Sequence, residues 1–261
     1  MSRNKNNILA WHEQLKTLLP GRDVYYFDEA TSTNAVAKTY ADMARPGSVV
    51  IASRQTEGRG RLDRIWESPK DIGLYMTLIY RPNMLPQNMG CVPLTAAIAV
   101  AQAVENQGIR VKVKWPNDVM LNGKKFCGIL CEISTGSLLI GIGTNIDNSR
   151  QSLDDCGLIN ATSIALESDA FFDKVRYAAD ICMLMDGFIR QLENDAFLLN
   201  TYKNYCITLH HEVKIIEKGI EERDRETVAF AFDINNDGSL RVHLADGSIR
   251  DVYAGDVSIR S

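Results

Sequence analysis

Between Gly58 and Pro69 the sequence reads GRGRLDRIWESP, with Arg59, Arg61 and Arg64 set among Gly58 and Gly60 and followed by Trp66. Guanidinium groups offer paired hydrogen bonds to carboxylate or phosphate. Glycines let the backbone approach a ligand closely, and a tryptophan face can stack a base. The segment therefore has the chemistry of an anion clamp. A solvated loop with Trp66 as its core anchor is the plain alternative. Three other stretches carry comparable groups. TSTN (Thr31–Asn34) sets hydroxyls and an amide at the start of a helical pattern, where they can cap the helix or hydrogen-bond a neutral polar ligand such as a urea. KWPND brings Lys114, Asn117 and Asp118 to a strand end, where proline turns the chain out of regular pairing. Lys125 opens the apolar run FCGIL, so that strand carries a charge toward whatever lies above the sheet. GIGTN (Gly141–Asn145) ends another strand without the strand–turn–helix context of a dinucleotide fingerprint. Taken one at a time, helix cap, loop, turn and strand end account for each stretch as well as chemistry does.

The rest of the composition sets limits. The chain has 261 residues, 45% hydrophobic and 24% charged, as in an ordinary globular protein with one sizeable core and room for a small second domain. With 29 Lys and Arg against 33 Asp and Glu the net charge is −4, which argues against bulk binding to nucleic acid. No apolar run approaches the ~20 residues that span a bilayer, so no membrane partner is expected. The start, MSRNKNNILAWHEQ, lacks a signal-peptide core, and a cytoplasmic location is expected. The CGILC pair, Cys127 and Cys131, has no second Cys or His pair nearby and is expected as buried reduced thiols rather than a metal site.

The elements that position these groups follow from patterning. TSTNAVAKTYADMARPG has cap residues in front and Pro-Gly behind, and predicts a helix. Strands are predicted at Ser48–Ser53, Gly73–Arg81, Val111–Trp115 and Ser137–Asp147, with a hairpin in VMLNGKKFCGILCEI turning at Asn122-Gly123. Cys91–Gly108 predicts a buried, alanine-rich helix, and a second helical pattern follows Asp169. From about Cys206 short β-rich runs alternate with Asn-Asp-Gly and Asp-Gly turns, which suggests a small barrel of about five strands. Helices and strands thus alternate up to a β-rich tail, with the domain boundary expected between 205 and 206.

In this order, STN, Q-x-x-GRGR…W-x-SP, KWPND…K-x-x-GIL-x-E, GxG-x-N and the terminal GDVSIR (Gly255–Arg260) resemble the biotin protein ligase family from about Phe27 to the end of the chain. The resemblance implies an α+β fold: a mixed, mainly antiparallel sheet packed with helices, like that of class II aminoacyl-tRNA synthetases, and a small C-terminal SH3-like barrel. It implies that biotin is activated with MgATP to biotinyl-5'-AMP and pyrophosphate, then passed to a lysine of a biotin carboxyl carrier protein or other carboxylase acceptor domain. Biotin and MgATP are then substrates, with no bound prosthetic group or structural metal. Ser32, Thr33, Asn34 and Gln55 match the segments at the ureido ring. Gly58, Arg59, Gly60 and Arg61 match the loop that closes over biotin and its adenylate. Lys125 matches a lysine near the biotin carboxylate and the reacting phosphate, while Trp66, Lys114, Asn117 and Asn145 match the ATP side. Arg61, Lys125 and Asp118 are the expected catalytic groups, with Asp118 able to orient or deprotonate the acceptor amine.

Two features set this sequence apart. Leu62-Asp63 stands where many members have Arg-Gly, which removes one positive charge and adds a negative one to the loop. Too few residues precede Ser32 for the DNA-binding domain of repressor-type members, so a ligase-only form without nucleic-acid binding is expected. An exposed edge of the central sheet could pair two chains as a homodimer. Ordering a loop of about a dozen residues at roughly 1–2 kcal/mol each exceeds what two or three charge-assisted hydrogen bonds at about 1.5–3 kcal/mol offset. The Gly58–Arg64 segment is therefore expected to be mobile alone and ordered with biotin. A lipoate ligase or octanoyl transferase is the nearest alternative enzyme, and a nucleic-acid module using the arginine loop is the alternative from another class.

Overall fold

The computed structural model describes residues 7–81, 89–192, 195–217, 225–253 and 256–259. Gly255 and Arg260 of the terminal signature lie outside the described residues. In chain order the first half runs α1 (Asn7–Leu18), β1 (Val24–Phe27), α2 (Thr33–Tyr40), β2 (Ser48–Ala52), β3 (Gly73–Tyr80), α3 (Cys91–Glu105), β4 (Lys112–Lys114), β5 (Asp118–Leu121), β6 (Lys124–Ser134) and β7 (Ser137–Asn145). The second half has α4 (Arg150–Asp155), α5 (Ile164–Glu167), α6 (Lys174–Gln191), α7 (Asp195–Tyr205), β8 (His211–Glu217), β9 (Arg225–Ile234), β10 (Leu240–Leu244), β11 (Ile249–Val252) and β12 (Asp256–Ile259).

Seven strands form one sheet in the order β1-β2-β3-β7-β6-β5-β4. Only β1 and β2 pair in parallel; the other neighbours are antiparallel, so the fold is the expected α+β type. All five residues of β2 and all eight of β3 are buried, because the middle of the sheet is covered on both faces. Val49 and Ile51 join the large core with α3 and α6, whereas Val50 joins Ile79 and Leu139 in a smaller cluster with Ala37 of α2. Twelve of the 15 residues of α3 are buried, which makes it the central helix of the large core. The α2 face is covered more sparingly, and that leaves room for a cleft.

Local chemistry sets the ends of these elements. Ser32 caps α2 by accepting from Ala35 N at 3.0 Å. Asp173 caps α6 by accepting from Val175 N and Arg176 N. Asn122 (φ 48°) and Gly123 (φ 78°) make the two-residue turn between β5 and β6, the left-handed pair such a hairpin needs. The strand predicted at Val111–Trp115 is shorter, Lys112–Lys114, since Pro116 has no N–H with which to continue the pairing. Cys127 is buried and Cys131 partly so; both are free thiols.

The tail forms a separate five-stranded antiparallel sheet, β11-β10-β9-β8-β12. It is tied to the rest of the chain through Trp115, Val113 and Lys203. The Trp115 indole donates to Gly238 O at 2.9 Å, and Trp115 N to Thr208 Oγ1 at 2.9 Å. Ile207 N donates to Val113 O at 2.9 Å, and Lys203 pairs with Asp233 at 2.7 Å. Among the described residues no helix is long and apolar enough to cross a membrane.

Candidate active site

On the α2 face lies a cleft of about 790 Å³. It is walled by the start of α2, the arginine loop, the turn between β4 and β5, strands β6 and β7, residues 157–161, and Ser258 and Ile259 of β12. Every residue singled out above for chemistry lines it except Gly58. Gly58 lies beneath, where an added Cβ would stand 2.3 Å from Trp66 O.

One end of the cleft is neutral and polar. Thr33 N and Oγ1 donate to Gln55 Oε1 at 2.8 and 3.2 Å, and Gln55 Nε2 donates to Ser68 Oγ at 2.7 Å. Asn34 Nδ2 donates to Glu132 Oε2 at 2.7 Å and to Leu130 O at 3.3 Å. The Thr77 hydroxyl lies 2.6 Å from Asn34 Oδ1 and 2.8 Å from Thr33 Oγ1. Asn34 is thus committed to protein partners at both ends of its amide. Gln55 keeps one N–H, having given only one to Ser68.

The arginine loop is a short hairpin that forms part of the cleft wall. Trp66 N donates to Gly58 O at 2.9 Å and Gly60 N to Arg64 O at 2.7 Å, with Arg61–Asp63 as a tight 3-10 turn at the tip. Leu62 holds φ 57°, a left-handed conformation that costs a branched side chain about 1–2 kcal/mol. Arg61 points inward, and its Nη1 donates to Asn117 Oδ1 at 3.2 Å. Burial lowers the Arg61 pKa, opposed by Asp118. Arg59 is 69% exposed and 3.8 Å from Glu57, so it stands at the mouth.

The other end is aromatic and cationic. Trp66 lies against two glycines paired across β6 and β7, Gly128 and Gly143. An added Cβ would stand 2.9 Å from the indole at Gly128 and 2.4 Å from it at Gly143. Lys125 Nζ lies 5.3 Å from the Trp66 ring centroid and 2.6 Å from Asp118 Oδ1. Burial lowers the Lys114 pKa; Asp118 opposes this, and Lys125 and Arg64 add to it. Asn117 Nδ2 donates to Ile129 O at 2.8 Å and Asn145 Nδ2 to Thr162 O at 3.1 Å, so both amides are fixed. An anion bound among these cations would relieve their mutual repulsion and favour the charged form of Lys114. Among the described residues no group of three or more His, Cys, Asp or Glu is placed to hold a metal.

Sequence reasoning missed three members of this site. Ser68 and Glu132 stand inside the motifs but were given no part, while Thr77 had no sequence signal at all. The arrangement can hold a neutral hydrogen-bonding head at one end and a polyanion with a planar base at the other. Arg61, bonded to Asn117, and Lys125, beside Trp66 and Asp118, belong to the second end.

Comparison with known proteins places the chain in a family. Residues 24–147 match the model of the biotin/lipoate A/B protein ligase family, and residues 218–260 match the biotin protein ligase C-terminal domain. The chain is 32% identical over 256 residues to the bifunctional ligase/repressor BirA of Bacillus spizizenii, covering 94% of this chain and 76% of that one. It is 28% identical to the biotin–[acetyl-CoA-carboxylase] ligase of Mycobacterium tuberculosis, covering 90% and 87%. The structure of the Aquifex aeolicus biotin protein ligase in complex with biotin and ATP superposes with a TM-score of 0.76 at 25% identity, over 91% of this chain and 98% of that one. The chain belongs to the biotin protein ligase family.

Proposed function

We propose that this biotin protein ligase carries out both half-reactions in the one cleft, with biotin's ring at the Ser32–Asn34 and Gln55 end and ATP along Lys114, Asn117, Asn145 and Trp66. The observation that carries this reading is the polarity of the cleft: a hydrogen-bonding pocket built on Thr33, Asn34 and Gln55 shares one cleft with a cationic, aromatic pocket that holds Arg61, Lys125 and Trp66. In the first step a biotin carboxylate oxygen attacks the α-phosphorus of the MgATP substrate, and pyrophosphate leaves. Two anions must meet, so the guanidinium of Arg61 and the ammonium of Lys125 offset their repulsion and the charge of the five-coordinate transition state. In the second step the amine of an acceptor lysine attacks the acyl carbon, AMP leaves, and the amine gives up a proton.

Asp118 is the nearest carboxylate to Lys125 and the candidate to orient the incoming amine or take its proton. Gly58, Arg59, Gly60 and Arg61 form the lid that keeps water from the mixed anhydride between the steps. Residues 1–205 form the catalytic part and 206–261 the small C-terminal domain, whose Ser258 and Ile259 reach the cleft. The acceptor is a carboxylase domain that presents one lysine.

Incubation with biotin, MgATP and a carboxylase acceptor domain tests the reading. One biotin per acceptor is expected, lost when the acceptor lysine is replaced by arginine. Modification with octanoate or lipoate in place of biotin would overturn it.

A further inference from the structure

Glu132 borders the neutral end of the cleft and has no part in the chemistry above. Its carboxylate is shared. Oε2 accepts from Asn34 Nδ2 at 2.7 Å, and Oε1 accepts from Lys38 Nζ at 2.7 Å. From Asn34 the connection continues through the fully buried Thr77 hydroxyl to Thr33, from Thr33 to Gln55 Oε1, and from Gln55 Nε2 to Ser68. Ser68 Oγ closes the chain on Trp66 O at 2.9 Å.

This chain has a direction. An ionised carboxylate only accepts hydrogen bonds, so Glu132 draws the nitrogen of Asn34 toward β6 and leaves its oxygen toward Thr77. An added Cβ at Gly141 would stand 2.3 Å from Asn34 Oδ1, so that oxygen is also confined sterically. Thr33 N donates to Gln55 Oε1 at 2.8 Å, which leaves the Gln55 nitrogen for Ser68 and the cleft. Burial works against the charge on Glu132, but hydrogen bonds from Lys38 and Asn34 outweigh it and hold the carboxyl below its usual value. A ureido ring carries two N–H donors beside one carbonyl acceptor, and it fits only a pocket whose own donors and acceptors are fixed in the opposite sense.

We propose that Glu132 and Thr77 are positioning residues for the ring end of biotin, fixing the Asn34 amide and, through it, the Thr33 hydroxyl and the Gln55 nitrogen that borders the cleft. The inference rests on the biotin reading of this end of the cleft. Its test is the isosteric change Glu132→Gln. The new amide has one oxygen, which the Lys38 ammonium takes. Its NH2 then faces Asn34 Nδ2, donor against donor, and the Asn34 amide turns over. KM for biotin is expected to rise ~10-fold, with kcat and KM for ATP within ~2-fold. In Lys38→Met/Glu132→Gln the glutamine oxygen is free to face Asn34, and KM for biotin returns to within ~3-fold of the unmodified protein.

Thr77 gives an independent arm. Thr77→Val removes the hydroxyl at nearly constant volume and is expected to raise KM for biotin ~10-fold, while Thr77→Ser keeps it within ~2-fold. This pair decides the matter even where Glu132→Gln does not fold. Unchanged KM for biotin in Thr77→Val, or equal rises in KM for biotin and ATP, would overturn the proposal. So would a double variant as impaired as Glu132→Gln. If the unmodified protein released no pyrophosphate with biotin, the reading beneath the proposal would fail as well; turnover with biotin but indifferent variants would remove the proposal alone.

Discussion

Lys125 Nζ lies 2.6 Å from Asp118 Oδ1, across neighbouring strands β6 and β5, in the wall of the cleft. The ammonium is therefore already paired with Asp118, and any anion that reached it would share it with that carboxylate. The two residues are expected to separate the half-reactions. Lys125→Met should slow pyrophosphate release ~10²–10³-fold, because it removes positive charge where the transition state gains negative charge. Asp118→Asn should leave adenylate formation within ~10-fold and slow transfer to the acceptor ~10²-fold. Rapid-quench assay of each step checks both, and Asp118→Asn with both steps intact would remove Asp118 from the mechanism.

The arginine loop should respond to biotin. Across its hairpin run two backbone bonds, Gly60 N to Arg64 O and Trp66 N to Gly58 O, so its local stability is low. Amide exchange over Gly58–Arg64 is expected to slow when biotin binds. Equal protection with and without biotin would count against a lid. Arg61→Gly removes the reach to Asn117 Oδ1 at 3.2 Å and should speed release of biotinyl-adenylate ~10-fold. Filter binding of the isolated intermediate measures this.

Gly143 is expected to control ATP rather than biotin. An alanine Cβ there would stand 2.4 Å from the Trp66 indole nitrogen, and the backbone of β7, paired with β3 and β6 on either side, cannot retreat. The indole must shift instead. Gly143→Ala should raise KM for ATP ~10-fold and leave KM for biotin within ~2-fold. A rise in both would place Trp66 elsewhere than against the base.

Lys114 should set the alkaline limit for ATP use. Its pKa is depressed mainly by burial, so on rising pH the free enzyme loses this cation earlier than an ordinary lysine would. Bound phosphate favours the charged form and pulls the pKa back up. The value of kcat/KM for ATP is therefore expected to fall as pH rises through the depressed pKa. Lys114→Arg should move that fall to higher pH, because a guanidinium stays protonated. Superimposable alkaline limbs in the two enzymes would exclude Lys114 as the group.

Much of this site was legible in the sequence because its parts are local. Ser32 caps α2, Asn122-Gly123 turns the hairpin, and the pattern of Gly141 and Gly143 puts both on one face of β7, each for its own close neighbour. Less legible were the parts made by distant contacts. Thr77 is one more residue in a buried strand until folding sets it beside Thr33 and Asn34, 44 and 43 positions earlier. Gly128 gives no hint that it faces Trp66, since that depends on the register of β6 with β7. The α1 helix went unread because Asn7–Leu18 has no acidic residue in its first turn and only moderate amphipathicity. The four-residue strand β1 is too short for its alternation to stand out. Leu62 shows the limit from the other side. Its sequence departure was plain, but its left-handed backbone was not.

The most direct measurement is the first turnover in the absence of any acceptor protein. Mixed with MgATP and biotin, the enzyme is expected to release one pyrophosphate per cleft in a burst and to retain biotinyl-adenylate, with no burst from octanoate or lipoate and none in Lys125→Met. No pyrophosphate with biotin, or a burst of equal size from octanoate, would contradict the assignment of the neutral end of this cleft to biotin.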